Sequence, residues 1–438
     1  MDTGGHPLTG YGPAWKGLWE KTGWWHSFEL PGGEVIRGMN PLEVLKRRIA
    51  QFPIAADLRG KRVLDIGAWD GWFTFEMERR GAEVVALDCW DNPRFREMHA
   101  LYRSRAEYVQ MDAMEISPAT VGRFDIVLFL GVLYHLKHPL LALEKVCSIT
   151  TELAAIDSFV LRDGLDPNAQ PVLEFYETDQ MEGQTDNWVA PNLACLMAMC
   201  RTAGFARVEF RNALLYSAAV ACYRKWEQPG VAGPVVELKS AVHNTNHGLN
   251  FDSRRDEYLT CGFTTKEEKL TVKNVQPSVG GYGVRPISVT NIGGDLWQAN
   301  FKLPPGLTPG WHDVSIAVFG GPAHTGPAIA VDLPLIPCTP RIIGVRDGTN
   351  WASNQLDLKS GRGIAIWCEG LPENADRNNL RIFLRKVLCS VEFIAASGET
   401  RQINVQVPDS IGAGLADLEL RIGNSTAPPI QIQVLPAA

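Results

Sequence analysis

The chain has 438 residues, enough for two or three cores, and an average balance of apolar and charged residues that excludes a disordered or fibrous protein. Forty-two Lys and Arg stand against 49 Asp and Glu, a formal net charge of −7, which disfavours nucleic acid as the main partner. Nine scattered cysteines without a C-x-x-C pair imply reduced thiols, no zinc site and, with no apolar leader over Met1–Trp15, a cytoplasmic protein.

Residues 1–60 are rich in tryptophan (Trp15, Trp19, Trp24, Trp25), and a helix is expected over Pro41–Phe52. This segment reads as an aromatic cap on the next domain, with Trp25 and His26 as candidate substrate contacts.

Residues 61–228 alternate strand and helix. Strands are predicted at Arg62–Gly67, Glu83–Asp88, Glu107–Gln110, Phe124–Leu130 and Leu153–Phe159. Helices are predicted at Trp72–Arg80, Arg94–Tyr102, Pro139–Val146 and Asn192–Ala203. Apolar strands separated by helices imply a parallel sheet covered on both faces. Two successive strands, Arg207–Phe210 and Tyr216–Tyr223, imply an antiparallel hairpin at its edge. The longest apolar run, Phe124–Leu133, is too short to span a bilayer.

Beyond Glu227 the pattern changes. Residues 229–256 read as a linker, and 257–335 and 336–438 as two all-β units of short alternating strands. An ungapped internal repeat supports two copies of one module: Ser288–Gly320 matches Glu392–Asn424, with Asn300 on Asn404, Pro304 on Pro408, Gly310 on Gly414 and Asp313 on Asp417.

The chemistry is carried by Val63-Leu64-Asp65-Ile66-Gly67-Ala68-Trp69-Asp70-Gly71, a strand entering a glycine turn and then a helix. Gly67 lets backbone approach a ligand, and no G-K-[ST] follows to make a phosphate loop. Asp88 ends the second strand, where a carboxylate takes ribose hydroxyls. Asp65 is placed to hold a cationic amino group and Asp112 to accept from an adenine amine, whereas Asp65 and Asp70 would repel a pyrophosphate. His135, at the end of the fourth strand, is a candidate general base, and Tyr134 beside it a candidate for positioning an acceptor. The long segment 161–190 offers Glu174, Tyr176 and Trp188 as acceptor contacts; no metal site is expected.

These residues resemble the class I S-adenosylmethionine-dependent methyltransferases. More narrowly, Leu64–Gly67 with Gly71, Gly131-Val132-Leu133-Tyr134-His135, Trp188–Asn192 and Ala203-Gly204-Phe205 are similar to the family of the tRNA wobble-uridine 5-oxyacetate methyltransferase. The resemblance implies a Rossmann-like domain of seven strands. It implies S-adenosylmethionine as cofactor, contacted by Asp65, Gly67, Ala68, Asp88, Cys89, Asp112, Ala113 and Leu130, with Tyr134 and His135 beside the transferred methyl. That tRNA enzyme holds a carboxylated cofactor through a lysine; this chain has Trp24-Trp25-His26-Ser27-Phe28 there, so the unmodified cofactor is expected. The tail resembles bacterial Ig-like modules of the IPT/TIG type. The expected activity is O-methylation of a small-molecule or saccharide-type acceptor, by a chain with no membrane association that dimerises through its Ig-like modules. The alternatives are a tRNA methyltransferase and a non-catalytic binding protein that works through those modules.

Overall fold

The computed structural model describes residues 23–437, apart from 31, 162–163, 215, 228–232, 335–336, 378, 396–397 and 424. Trp15 and Trp19 lie outside these. Among the described residues no helix is long and apolar enough to cross a membrane.

The first domain is built on seven strands: β1 Arg62–Ile66, β2 Glu83–Asp88, β3 Glu107–Gln110, β4 Phe124–Leu130, β5 Thr150–Phe159, β6 Arg207–Leu214 and β7 Ser217–Tyr223. Their order is β6-β7-β5-β4-β1-β2-β3. Strands β3, β2, β1, β4 and β5 run parallel, and β7 enters antiparallel between β5 and β6. The central strands are apolar because both faces are covered, with Val63, Leu64, Val127, Leu128, Ala154 and Ala155 all buried.

Helices α1 Leu42–Ala50, α2 Trp72–Arg79, α3 Pro93–Tyr102, α4 Pro139–Ile149 and α5 Leu193–Thr202 supply the cover. Asn92 caps α3 by accepting from the Arg94 amide, and Asn192 caps α5 by accepting from the Cys195 amide. On one face of the sheet a cluster joins α1, α2 and α3 with Trp24 and Phe28; on the other, α4 and α5 pack with Phe205. The strand order reverses between β1 and β4, the point where open α/β sheets bind ligands beyond their strand ends.

The segment before α1 is tied down. Phe28–Glu29 and Val35–Ile36 form a small hairpin, and the Asp70 carboxylate accepts from the backbone amides of Trp25 and His26 (2.8 and 2.9 Å). His26 Nδ1 makes a further close contact with Asp70.

The C-terminal region is β-rich, with two cores, one over residues 236–331 and one over residues 342–434. In the first, a four-stranded and a five-stranded sheet occur; in the second, Val387–Ile394 pairs with both Leu380–Leu384 and Thr400–Gln406 and joins all strands into one nine-stranded sheet. The reading of 229–256 as a linker is corrected: Val236–His243 is a strand paired with Tyr258–Thr265, and Asn250–Phe251 pairs with His324–Val331. The inward alternation of Val236 and Leu238 is broken by a bulge between Leu238 and Ser240, which hid the strand.

A buried joint ties the first core to the α/β domain. Arg224, just after β7, is fully buried; its guanidinium donates to the carbonyls of Pro305 (2.5 Å) and Gly204 (3.2 Å) and lies over the Tyr282 ring. Trp226 Nε1 donates to the Pro277 carbonyl, and Arg123 donates to the Gly306 carbonyl.

Candidate active site

A cavity of about 440 Å³ opens beyond the C-terminal ends of β1, β2 and β4. Its wall includes Asp65, Gly67, Asp88, Cys89, Asp112, Ala113, Leu130, Tyr134 and His135, with Trp25 and His26 from the N-terminal segment. Gly67 has φ +73°, and a Cβ there would stand 2.4 Å from Val132 Cγ2, so the turn admits no side chain. Gly71, at φ +97°, is crowded by Phe75 and Phe95 in the same way.

Asp65 is only 2% exposed. The Thr74 hydroxyl donates to it at 2.7 Å, and no Lys or Arg pairs with it among the described residues. Burial pushes its carboxyl up to about 6, against the opposing hydrogen bond from Thr74. A buried carboxylate without a cation is a vacancy of charge that an ammonium group fits. Asp88 accepts from the amides of Trp69 (2.9 Å) and Trp90 (3.1 Å), which holds it at the strand end. Asp112 accepts from the Met114 amide at 2.8 Å. Burial, then the charges of Asp88 and Asp112, push the Cys89 thiol up to about 12, so it is a neutral wall group rather than a nucleophile.

The other lobe of the cavity is polar. His135 Nδ1 lies 3.0 Å from Asp186 Oδ2. Arg48 of α1 forms a two-point pair with Asp157 at the end of β5 (2.9 and 3.3 Å). Tyr134, Phe159, Tyr216 and Ser217 complete this lobe.

Four expected residues are not on the wall. Ala68 is buried against the α2 side, and its amide donates to the Leu87 carbonyl. Glu174, Tyr176 and Trp188 belong to the insertion, whose strands Leu173–Phe175 and Val189–Pro191 pair with each other and keep those side chains outside. The Tyr176 hydroxyl donates to Glu174 at 2.8 Å, and Trp188 lies under Lys137. The insertion reaches the cavity through Asp186 instead, and the Trp188 amide anchors it to the Tyr134 carbonyl (2.8 Å). Sequence reading also missed Arg48, Asp157, Tyr216 and Ser217. Asp157 is an acid near the end of an apolar strand, as Asp88 is; Arg48 is one of three consecutive basic residues, Lys46-Arg47-Arg48, and nothing in that run singles it out.

Residues 39–154 match the family model described as a methyltransferase domain. The chain is 30% identical over 162 residues to the tRNA U34 carboxymethyltransferase of Pseudomonas syringae pv. tomato, covering 35% of this chain and 47% of that protein. It is 31% identical over 106 residues to the ubiquinone biosynthesis O-methyltransferase of Nitrosococcus oceani, covering 24% and 43%. The chain thus spans about half the length of the curated relatives it matches. Among solved structures, the N-terminal domain of EvdMO1 with SAH and D-fucose aligns with a TM-score of 0.35 and 22% identity over 48% of this chain and 93% of that one. The α/β domain is a class I S-adenosylmethionine-dependent methyltransferase domain. Within that class it is similar to the tRNA U34 carboxymethyltransferases.

Proposed function

We propose that the protein is an O-methyltransferase for a small polyhydroxylated or saccharide-type acceptor. The observation that carries this reading is the His135–Asp186 pair in the same cavity as the three cofactor carboxylates. S-adenosylmethionine, when bound, supplies an electrophilic methyl group. Asp65 holds its amino group, Asp88 its ribose and Asp112 its adenine edge. Asp186 fixes the His135 proton on Nδ1, which leaves Nε2 as the basic nitrogen that takes the proton of an attacking hydroxyl. The polar walls, Arg48–Asp157 with Tyr216 and Ser217, suit an acceptor with several hydroxyl groups. The β-rich tail is read as two Ig-like modules.

The test is methyl transfer from labelled S-adenosylmethionine to a panel of monosaccharides and phenols, with bulk tRNA as a parallel arm. Transfer to a hydroxyl acceptor, reduced at least tenfold in His135→Gln, supports the reading. Transfer confined to tRNA, which the names of the relatives favour, overturns it.

A further inference from the structure

The two β-rich units share the order of their main strands. Leu296–Lys302 and Thr400–Gln406 start 104 residues apart, as do Gly310–Val318 and Gly414–Ile422. Pairing register therefore identifies counterpart positions on one sheet face. In the first copy this face is polar and closed on itself: Gly262 lies between Ser240 and Gln298, the Thr260 hydroxyl donates to Asn300, and Asn300 Nδ2 donates to the Ser288 hydroxyl (2.9 Å).

In the second copy the amide pair is kept and its surroundings are changed. Gln402 Nε2 donates to Asn404 Oδ1 at 2.8 Å, as Gln298 does to Asn300. The place of Gly262 is taken by Trp367, which lies between Gly344 and Gln402. The place of Ser288 is taken by Phe393, directly opposite Asn404 and 48% exposed. Asn404 Nδ2 thus loses its side-chain acceptor and has no hydrogen-bond partner among the described residues. Beside Trp367 stands Trp351, 52% exposed, with ring centroids 6.1 Å apart and planes at 45°. Trp351 has φ +61°, a costly conformation for an aromatic residue. Its loop is held by the Asp347 carboxylate, which accepts from the amides of Thr349, Asn350 and Asp357, and by Arg346, which donates to the Trp351 carbonyl.

We propose that this face of the C-terminal unit is a binding site for a neutral oligosaccharide. A sugar ring presents an apolar C–H face and a rim of hydroxyls. Trp351 and Trp367 offer rigid aromatic faces to the first, and Asn404 Nδ2 with the Gln402 amide offers hydrogen bonds to the second. The neighbouring Arg341 and Glu369 pair with each other on the surface, so that pair gives no net field to draw a charged partner. Interleaving of aromatics with amides and small residues argues against the contiguous apolar patch of a protein interface. None of these residues lines the cavity, and the proposal does not rest on the acceptor assigned above.

The experiment is affinity electrophoresis and calorimetry of the full chain with maltoheptaose, cellohexaose, laminarihexaose and chitohexaose. Binding of at least one probe is expected, weakened about tenfold or more in Trp351→Ala and in Asn404→Ala. Trp351 is on an exposed loop, and an unchanged unfolding temperature and S-adenosylmethionine affinity establish that the variant folds. Failure to bind all four probes, or binding unaffected by both substitutions, overturns the proposal. So does concentration-dependent dimerisation lost in Trp351→Ala, which would assign the face to a second copy. Methyl transfer is read separately, so either assignment can fail alone.

Discussion

Replacing Asp65 by Asn should make the ligand-free protein more stable while impairing cofactor binding. Burial raises the Asp65 carboxyl from 3.8 to about 6. At about 1.4 kcal/mol for each tenfold change in proton affinity, that rise costs the folded state about 3 kcal/mol when the group is ionised. Because the folded value lies above the unfolded one, the stabilising contribution of the protonated acid is complete below pH 3.8. It is lost as pH rises through about 6. An Asn keeps the acceptor for the Thr74 hydroxyl and carries no charge. The variant should therefore gain up to about 3 kcal/mol at pH 8, and roughly half of that at pH 5, where only part of the cost has developed. Denaturant unfolding of the α/β domain at both pH values, without ligand, measures the gap. At pH 8 the same substitution should weaken S-adenosylmethionine binding about 10- to 100-fold by calorimetry, since a charge-assisted hydrogen bond is lost. In the wild type, affinity should fall about tenfold per pH unit below 6. A variant less stable than wild type at pH 8, or a gap that does not change with pH, would refute the assignment of Asp65 as a buried acid awaiting a cation.

Three further outcomes follow from named contacts. Asp88→Ala removes the acceptor of the Trp69 and Trp90 amides and the ribose ligand together, so S-adenosylmethionine affinity should fall at least tenfold by calorimetry, with a loss of about 1–3 kcal/mol in stability. Asp186→Asn should lower kcat by about 10- to 100-fold, while cofactor affinity stays within about twofold; an unchanged kcat would remove Asp186 from the mechanism. Arg224→Met should destabilise the chain by about 3–5 kcal/mol in denaturant unfolding, because the Pro305 and Gly204 carbonyls lose their buried donor.

The α/β domain was legible because its signals are local. The central parallel strands carry short apolar runs, such as Val84–Leu87 and Ile126–Leu130, and most predicted ends agree with the structure to within a few residues, as at Glu83–Asp88 and Phe124–Leu130. The acidic edge of the cavity was legible for the same reason: Asp65 and Asp88 lie at the ends of their strands and Asp112 just after its own, so chain position alone puts them on one edge of the sheet. The acceptor half was legible only in part, at Tyr134 and His135. Asp186 enters through a loop whose path depends on two three-residue strands pairing with each other, and Arg48 enters through the angle at which α1 packs. Neither has a sequence period. Side-chain type therefore pointed to Glu174 and Tyr176, which pair with each other outside the cavity.

The β-rich region failed in the opposite way, since its repeat was legible where strands are regular and lost where they bulge. The 104-residue spacing that relates Gly310–Val318 to Gly414–Ile422 also relates His243 to Asp347, the last residues of the strands that open each core. Extending the repeat upstream would have placed the first core's start near residue 236, with the twelve residues 224–235 between it and the end of β7. A connection of that length does not by itself hold the two units together. The burial of Arg224 at that point then has a structural reason. Its guanidinium bridges Gly204 of the α/β domain and Pro305 of the β-rich core, so moving the units apart would strand a charge in a dry joint. The first β-rich core is accordingly a fixed extension of the catalytic domain rather than a tethered tail.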